Sequence, residues 1–232
     1  MEDSDKPFMT HLDEELTYLK SEIMEMWRMV ISQLQKTREA MLQFDKDLAR
    51  EVVVTEKRIN SLELKIDRDC ENIFALFNPV AVDLRTVLAV LKINNNLERS
   101  GDIAEGMAKY VIFADQPFDQ ELLDSTQILR MYELSVEILE DVLSSFENED
   151  TKLARSVFKK DEQVDEINFK ATAAIANYIR HHPQKTEEGL NIISMIRKLE
   201  RIGDHCKNIA EEIIFNVEAK VLKHKGKKRQ ME

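Results

Sequence analysis

Two acidic residues four positions apart, with a glycine between them, occur twice in this chain of 232 residues. Leu97-Glu98-Arg99-Ser100-Gly101-Asp102 returns 102 positions later as Leu199-Glu200-Arg201-Ile202-Gly203-Asp204. On a helix, side chains at i and i+4 lie one above the other, so each copy is a vertical pair of carboxylates. Like charges at that spacing destabilise a helix by about 0.2–0.5 kcal/mol. An interior glycine adds a penalty of about 1 kcal/mol relative to alanine. Both costs recur at equivalent places, which points to a purpose other than helix stability.

A second acidic pair lies some forty residues upstream of each motif. Asp161-Glu162-Gln163-Val164-Asp165 reads D-x-x-x-D, and its counterpart Glu56-Lys57-Arg58-Ile59-Asn60 reads E-x-x-x-N. If the helices bearing the two pairs run antiparallel, three or four hard oxygen donors meet at one place. Such a set suits magnesium, calcium, manganese or oxidised iron better than copper or structural zinc. An isolated acidic pair on an amphipathic helix is ordinarily solvated charge. The duplication, the paired glycines and the upstream acids set these pairs apart. Arg99 and Arg201 read as ion-pair or interface residues.

Other chemistry finds little support. His11, His181, His182, His205 and His224 lie in no E-x-x-H or H-E-x-x-H pattern, which argues against a ferritin-like di-iron site and a zinc protease. There is no P-loop, G-x-G-x-x-G or G-x-S-x-G, and no nucleophile is spaced for a base. His205 has Ile103 as its counterpart, so surface or interface placement is expected rather than a ligand role. Trp27, among Met24, Met26 and Met29, reads as core packing, with a contact surface as the alternative.

The elements that must position these groups are helices. Five glycines, four prolines and an abundance of Leu, Glu, Lys and Ala point to an all-α chain. Six long periodic segments are predicted at 9–44, 47–76, 80–113, 118–146, 150–181 and 185–222. Asn78-Pro79, Asp115-Gln116-Pro117 and His182-Pro183 mark breaks, because proline suits a first turn and constrains the residue before it. The breaks near Phe44-Asp45-Lys46-Asp47 and Glu147-Asn148-Glu149-Asp150 are weaker, with acids placed to cap the following helix. The halves match beyond the motif at an offset of 102 to 105: Leu48-Ala49-Arg50 with Leu153-Ala154-Arg155, and Ile112-Phe113 with Ile214-Phe215. Two pseudo-symmetric antiparallel three-helix bundles follow, 1–115 and 116–219, with a basic tail at 220–232. Within them Val87, Val90, Leu97 and Ala104 form a core stripe, as do Met195, Leu199, Ile202 and Cys206. Glu98, Asp102 and Glu105, like Glu200, Asp204 and Glu211, run along a neighbouring strip.

Bulk properties narrow the function further. The net charge of −11 argues against nucleic-acid binding. No apolar run approaches the roughly 20 residues a membrane helix needs, and the acidic start lacks the parts of a signal peptide. Cys70 and Cys206 are too few for a disulfide scaffold, so reduced thiols in a cytoplasmic protein are expected. The tail Lys220–Arg229 is read as a solvated end, with an anionic partner or membrane surface as the alternative.

These residues resemble a known family. Asn78-Pro79-Val80-Ala81-Val82-Asp83-Leu84-Arg85, followed by Leu97 to Asp102, is similar to the first-half signature of the PhoU family. Leu199 to Asp204 is similar to the second. Ile59-Asn60 and Val164-Asp165 resemble the matching helix segments, and the likeness runs from about residue 10 to 217. It implies a cytoplasmic, non-enzymatic negative regulator of phosphate uptake and signalling. The implied partners are the ATPase subunit of a phosphate ABC transporter and a phosphate-sensing histidine kinase, with the regulator a homodimer. Membrane association is then peripheral, through those partners.

The resemblance also implies multinuclear metal clusters, with iron foremost and zinc, manganese or magnesium as alternatives. Carried over by position, Glu98, Asp102, Glu56 and Asn60 form one metal site. Glu200, Asp204, Asp161 and Asp165 form the other. Because an amide brings no charge and does not bridge as a carboxylate does, Asn60 leads to the expectation that the second-half site binds metal more strongly. Ser100 stands where the family usually has an apolar residue. The competing readings are a carboxylate-bridged metal-dependent enzyme or iron-storage protein, and a helical scaffold that binds no metal.

Overall fold

The computed structural model describes residues 10–222 and consists of helices. In chain order they are α1 (His11–Gln43), α2 (Lys46–Phe77), α3 (Ala81–Phe113), α4 (Gln120–Thr126), α5 (Ile128–Asn148), α6 (Thr151–His181) and α7 (Thr186–Glu218), with a 3₁₀ turn at Pro183–Lys185. The weak breaks close by one shared device. Phe44 and Glu149 end their helices in the left-handed region, with φ of 54° and 53°. Asp45 and Asp150 then cap the next helix, each accepting from two backbone N–H groups of its first turn. A capping box between Thr10 and Asp13 starts α1.

The expected helix at 118–146 is two helices. Gln127 adopts φ 55° and separates the short α4 from α5. Ser125-Thr126-Gln127 contains neither glycine nor proline, so composition does not announce the break. Tertiary packing explains it: Phe118, Leu122 and Leu123 on the α4 side and Ile128 and Met131 on the α5 side are all buried. One straight helix would not aim both sets inward. Of the tail, only 220–222 are described, and 223–232 lie outside the described residues.

Each half is a three-helix unit, α1–α3 and α5–α7, with α4 packed on α5 and α6. The halves are joined face to face, α3 against α7 and α1 against α5, while α2 and α6 pack on the outside of their own halves. The pairing is antiparallel. Between α3 and α7, Lys92 meets Glu212 at 2.9 Å, Asn96 accepts from Asn208 at 3.3 Å, and Ser100 lies 3.1 Å from His205 Nδ1. Between α1 and α5, Arg28 pairs with Glu147, and Arg38 with Glu133 at 2.6 Å. Trp27 is fully buried at this second seam and donates from Nε1 to the Leu139 carbonyl at 3.1 Å. One continuous apolar cluster runs through both halves and holds every residue of the two expected core stripes.

Candidate functional site

The motif glycines explain how a buried acid fits inside a helical bundle. Gly101 and Gly203 are buried on the side of α3 and α7 that faces the preceding helix. A Cβ at Gly101 would come within 2.7 Å of Glu56 Oε2, and one at Gly203 would overlap Asp161 Oδ1. The missing side chain makes room for a carboxylate rather than for a neighbouring backbone. Glu56 on α2 and Asp161 on α6 are 3% and 2% exposed. Above each lies the repeated pair, with Glu98 and Glu200 half-buried and Asp102 and Asp204 exposed. Asn60 and Asp165 lie one turn further along the outer helices and are exposed.

In the first cluster, among the described residues, no lysine or arginine forms an ion pair with Glu56, Glu98 or Asp102, and only Arg99 lowers the Glu98 carboxyl against burial. Glu56 Oε2 accepts from Gln33 Nε2 at 2.8 Å, and the same amide donates to the Val52 carbonyl at 3.2 Å. Glu56 Oε1 is buried with no hydrogen-bond partner. Burial pushes the Glu56 carboxyl up to about 7; the Gln33 amide opposes this, and the charges of Asp102, Glu105 and Glu98 add to it. Glu98 is raised too, by burial and then by Asp102. Lys109 pairs with Glu105 at 2.6 Å towards the solvent side.

The second cluster is neutralised from within. Lys207 Nζ lies 2.5 Å from Asp161 Oδ2 and 2.7 Å from Asp204 Oδ1. Burial works against the charge on Lys207, yet its hydrogen bonds to Asp161 and Asp204 prevail and hold its pKa above the ordinary lysine value. Burial also pushes the Asp161 carboxyl up, and Lys207 pulls against that shift. Asp161 Oδ1 has no partner and rests in the space left by Gly203.

Thus the structure groups Glu56 with Glu98, Asp102 and Glu105, and Asp161 with Glu200, Asp204 and Asp165. Among the described residues, no three Asp, Glu, His or Cys side chains converge tightly enough to hold a metal ion as they stand. Sequence reasoning missed Gln33 and Lys207. The internal repeat contains a signal for both: at the same offsets Gln33 matches Ile138, and Lys207 matches Glu105. His205 is buried against Ser100 at the α3–α7 seam, and burial lowers its pKa to about 4. It is an interface group turned towards α3. Arg99 and Arg201 are exposed.

Comparison with known proteins fits this duplicated geometry. The model of the PhoU domain matches the chain twice, over residues 23–111 and 128–213. The chain belongs to the PhoU family. A phosphate-specific transport system accessory protein PhoU from Edwardsiella tarda is 33% identical over 91% of this chain and 86% of its own length. The protein of the same name from Escherichia coli K12 is 32% identical over 91% and 87%. The crystal structure of PhoU from Pseudomonas aeruginosa is 30% identical and superposes with a TM-score of 0.85, covering 90% of this chain and all of that one. The phosphate transport system regulatory protein PhoU from Streptococcus pneumoniae gives 0.79 at 26% identity, covering 91% and 99%. The duplicated PhoU domain accounts for the all-α fold of two three-helix units. Among the described residues no helix is long and apolar enough to cross a membrane.

Proposed function

We propose that this PhoU-family chain is an accessory regulator of a phosphate-specific transport system, acting as an adaptor rather than an enzyme. The observation that carries the reading is similarity over 91% of the chain to relatives bearing that name, with both domain copies matched. In this reading the chain works at the cytoplasmic face and restrains uptake when phosphate is plentiful. Its partners are the transporter's ATPase subunit and a phosphate-sensing histidine kinase, and it acts as a homodimer. Co-purification of the tagged full-length chain from phosphate-replete cells should recover the ATPase subunit or the kinase. Deleting its gene should raise a phosphate-starvation promoter in replete medium. Recovery of neither partner, with an unchanged promoter, would overturn the reading.

The metal role attaches to the first cluster. Glu56, Glu98 and Asp102 are hard donors, with the Asn60 amide within one helical turn, and they fit an oxygen-loving cation such as oxidised iron, manganese or magnesium. The buried, unpartnered Oε1 of Glu56 supports this, since orphaned buried carboxylate oxygens call for a proton or a cation. Glu98 and Asp102 would rotate inward to complete the set. Iron is the foremost candidate by family resemblance. Elemental analysis of the purified chain should find metal that disappears in Glu98→Ala/Asp102→Ala. Retention of the metal in that variant would refute the assignment.

A further inference from the structure

The second cluster carries a cation of its own, on the chain. Lys207 stands three residues beyond Asp204 on α7 and reaches across to α6, so its ammonium joins the buried Asp161 to the exposed Asp204. Those are two of the four carboxylates, with Glu200 and Asp165, that the second cluster would offer a divalent ion. The side chain of Asp161 is 3% exposed and that of Lys207 27%, so the pair lies largely out of water. Both are close N–O contacts between opposite charges, the kind that makes charge-assisted hydrogen bonds. The equivalent place in the first half holds Glu105, of the opposite charge. There, the buried acid is met by the neutral amide of Gln33; each buried acid keeps one unpartnered oxygen, so the internal cation is what distinguishes the two clusters.

We propose that the second cluster is closed to metal, because the Lys207 ammonium holds the place of a divalent cation between Asp161 and Asp204. Metal taken up by the chain then goes to the first cluster alone. This reverses the ranking expected from Asn60, because a positive charge inside the site outweighs one extra carboxylate at its rim. Asp165, which supplied that expected advantage, is exposed. The inference does not depend on the adaptor reading. It makes a lysine on α7 the determinant of which half of a pseudo-symmetric protein binds ions.

The test uses the full-length chain, stripped with chelator and titrated with Mn²⁺, with bound metal counted per chain. With the first cluster disabled by Glu98→Ala/Asp102→Ala, the protein should take up no stoichiometric Mn²⁺. Adding Lys207→Gln to that background should create one site, with Mn²⁺ affinity improved about tenfold or more by loss of the like charge, and Glu200→Ala should abolish it. Lys207→Arg should gain nothing. Stoichiometric Mn²⁺ in the Glu98→Ala/Asp102→Ala protein that vanishes with Glu200→Ala/Asp204→Ala would overturn the proposal, and this arm needs no Lys207 variant to fold. A folded Lys207→Gln protein that binds no more Mn²⁺ than its parent would overturn it as well. Absence of Mn²⁺ from the first cluster of the wild-type chain would refute the metal role proposed there and not this inference, which the Lys207→Gln gain decides.

Discussion

Replacing Gly203 with alanine sets two opposed effects against each other. In an unobstructed helix interior the change stabilises by about 1 kcal/mol. Gly106→Ala approximates that case, because its Cβ would meet the end of the Lys198 side chain at 3.1 Å, where a flexible ammonium can move aside. At Gly203 the Cβ would overlap Asp161 Oδ1, in a pocket where Asp161 is 2% exposed. Overpacking of this kind costs about 1–3 kcal/mol. Pushing Asp161 aside also strains its 2.5 Å contact with Lys207, and separating a buried pair costs a few kcal/mol more, roughly 3–5 if one partner is lost outright. Allowing for partial relaxation and for the helix gain, a net loss of about 2 kcal/mol is expected. For a chain of this size that lowers the melting temperature by roughly 4–8 °C. Thermal and urea unfolding of Gly203→Ala, Gly106→Ala and wild type should give the order Gly106→Ala at or above wild type, and Gly203→Ala below both. Truncating the obstruction in Gly203→Ala/Asp161→Ala should make the two changes non-additive, the alanine at 203 costing less once the carboxylate is gone. A Gly203→Ala protein as stable as Gly106→Ala would refute the claim that the motif glycine exists to admit the acid.

Further outcomes follow from features away from the clusters. Trp27→Ala should cost about 3–5 kcal/mol by circular dichroism melts, because the indole is fully buried and its Nε1 donates to the Leu139 carbonyl of α5; a loss below about 1 kcal/mol would argue against a tight α1–α5 seam. Gln127→Gly should stabilise by about 0.5–1 kcal/mol and Gln127→Val should destabilise by about 1–2 kcal/mol, since the position holds φ 55°; urea midpoints give the sign of each. Cys70 and Cys206 are both fully buried, and burial pushes the Cys70 thiol up to about 12 and the Cys206 thiol higher still. Little thiolate then exists at pH 8, so neither should react with a disulfide reagent until the chain unfolds; rapid labelling of the native protein at pH 8 would contradict that burial.

Local chemistry in the sequence foretold much of the fold. Proline marked the starts near Pro79 and Pro183, and Asp45 and Asp150 announced their caps by residue type. Helical periodicity placed both core stripes. Gln127 escaped because what breaks the helix there is the need to bury Leu122 and Ile128 at once, a demand made by α5 and α6 rather than by neighbouring residues. The site divides in the same way. Glu98, Asp102, Glu200 and Asp204 were legible from spacing and repetition, and Glu56 and Asp161 from the offset between halves. Lys207 was not, because a lysine three residues after an aspartate reads as a surface pair on one helix. Its decisive bond runs to Asp161 on another helix, and no periodicity encodes that reach. Gln33 lies on a third helix, and only its departure from Ile138 at the repeat offset marked it, as the departure from Glu105 marked Lys207.

The antiparallel meeting of α3 with α7 and of α1 with α5 has an evolutionary corollary. A chain with a single copy of this three-helix unit would bury the same faces by pairing with an identical chain about a two-fold axis, so the present molecule has the form of a fused dimer. In an unfused dimer of identical subunits every substitution appears twice, and a lysine would enter both acidic clusters or neither. Fusion removes that constraint. Only because the copies are encoded separately can Lys207 stand in one cluster and Glu105 in the other, so the specialisation of the two sites is a freedom that duplication within one gene created.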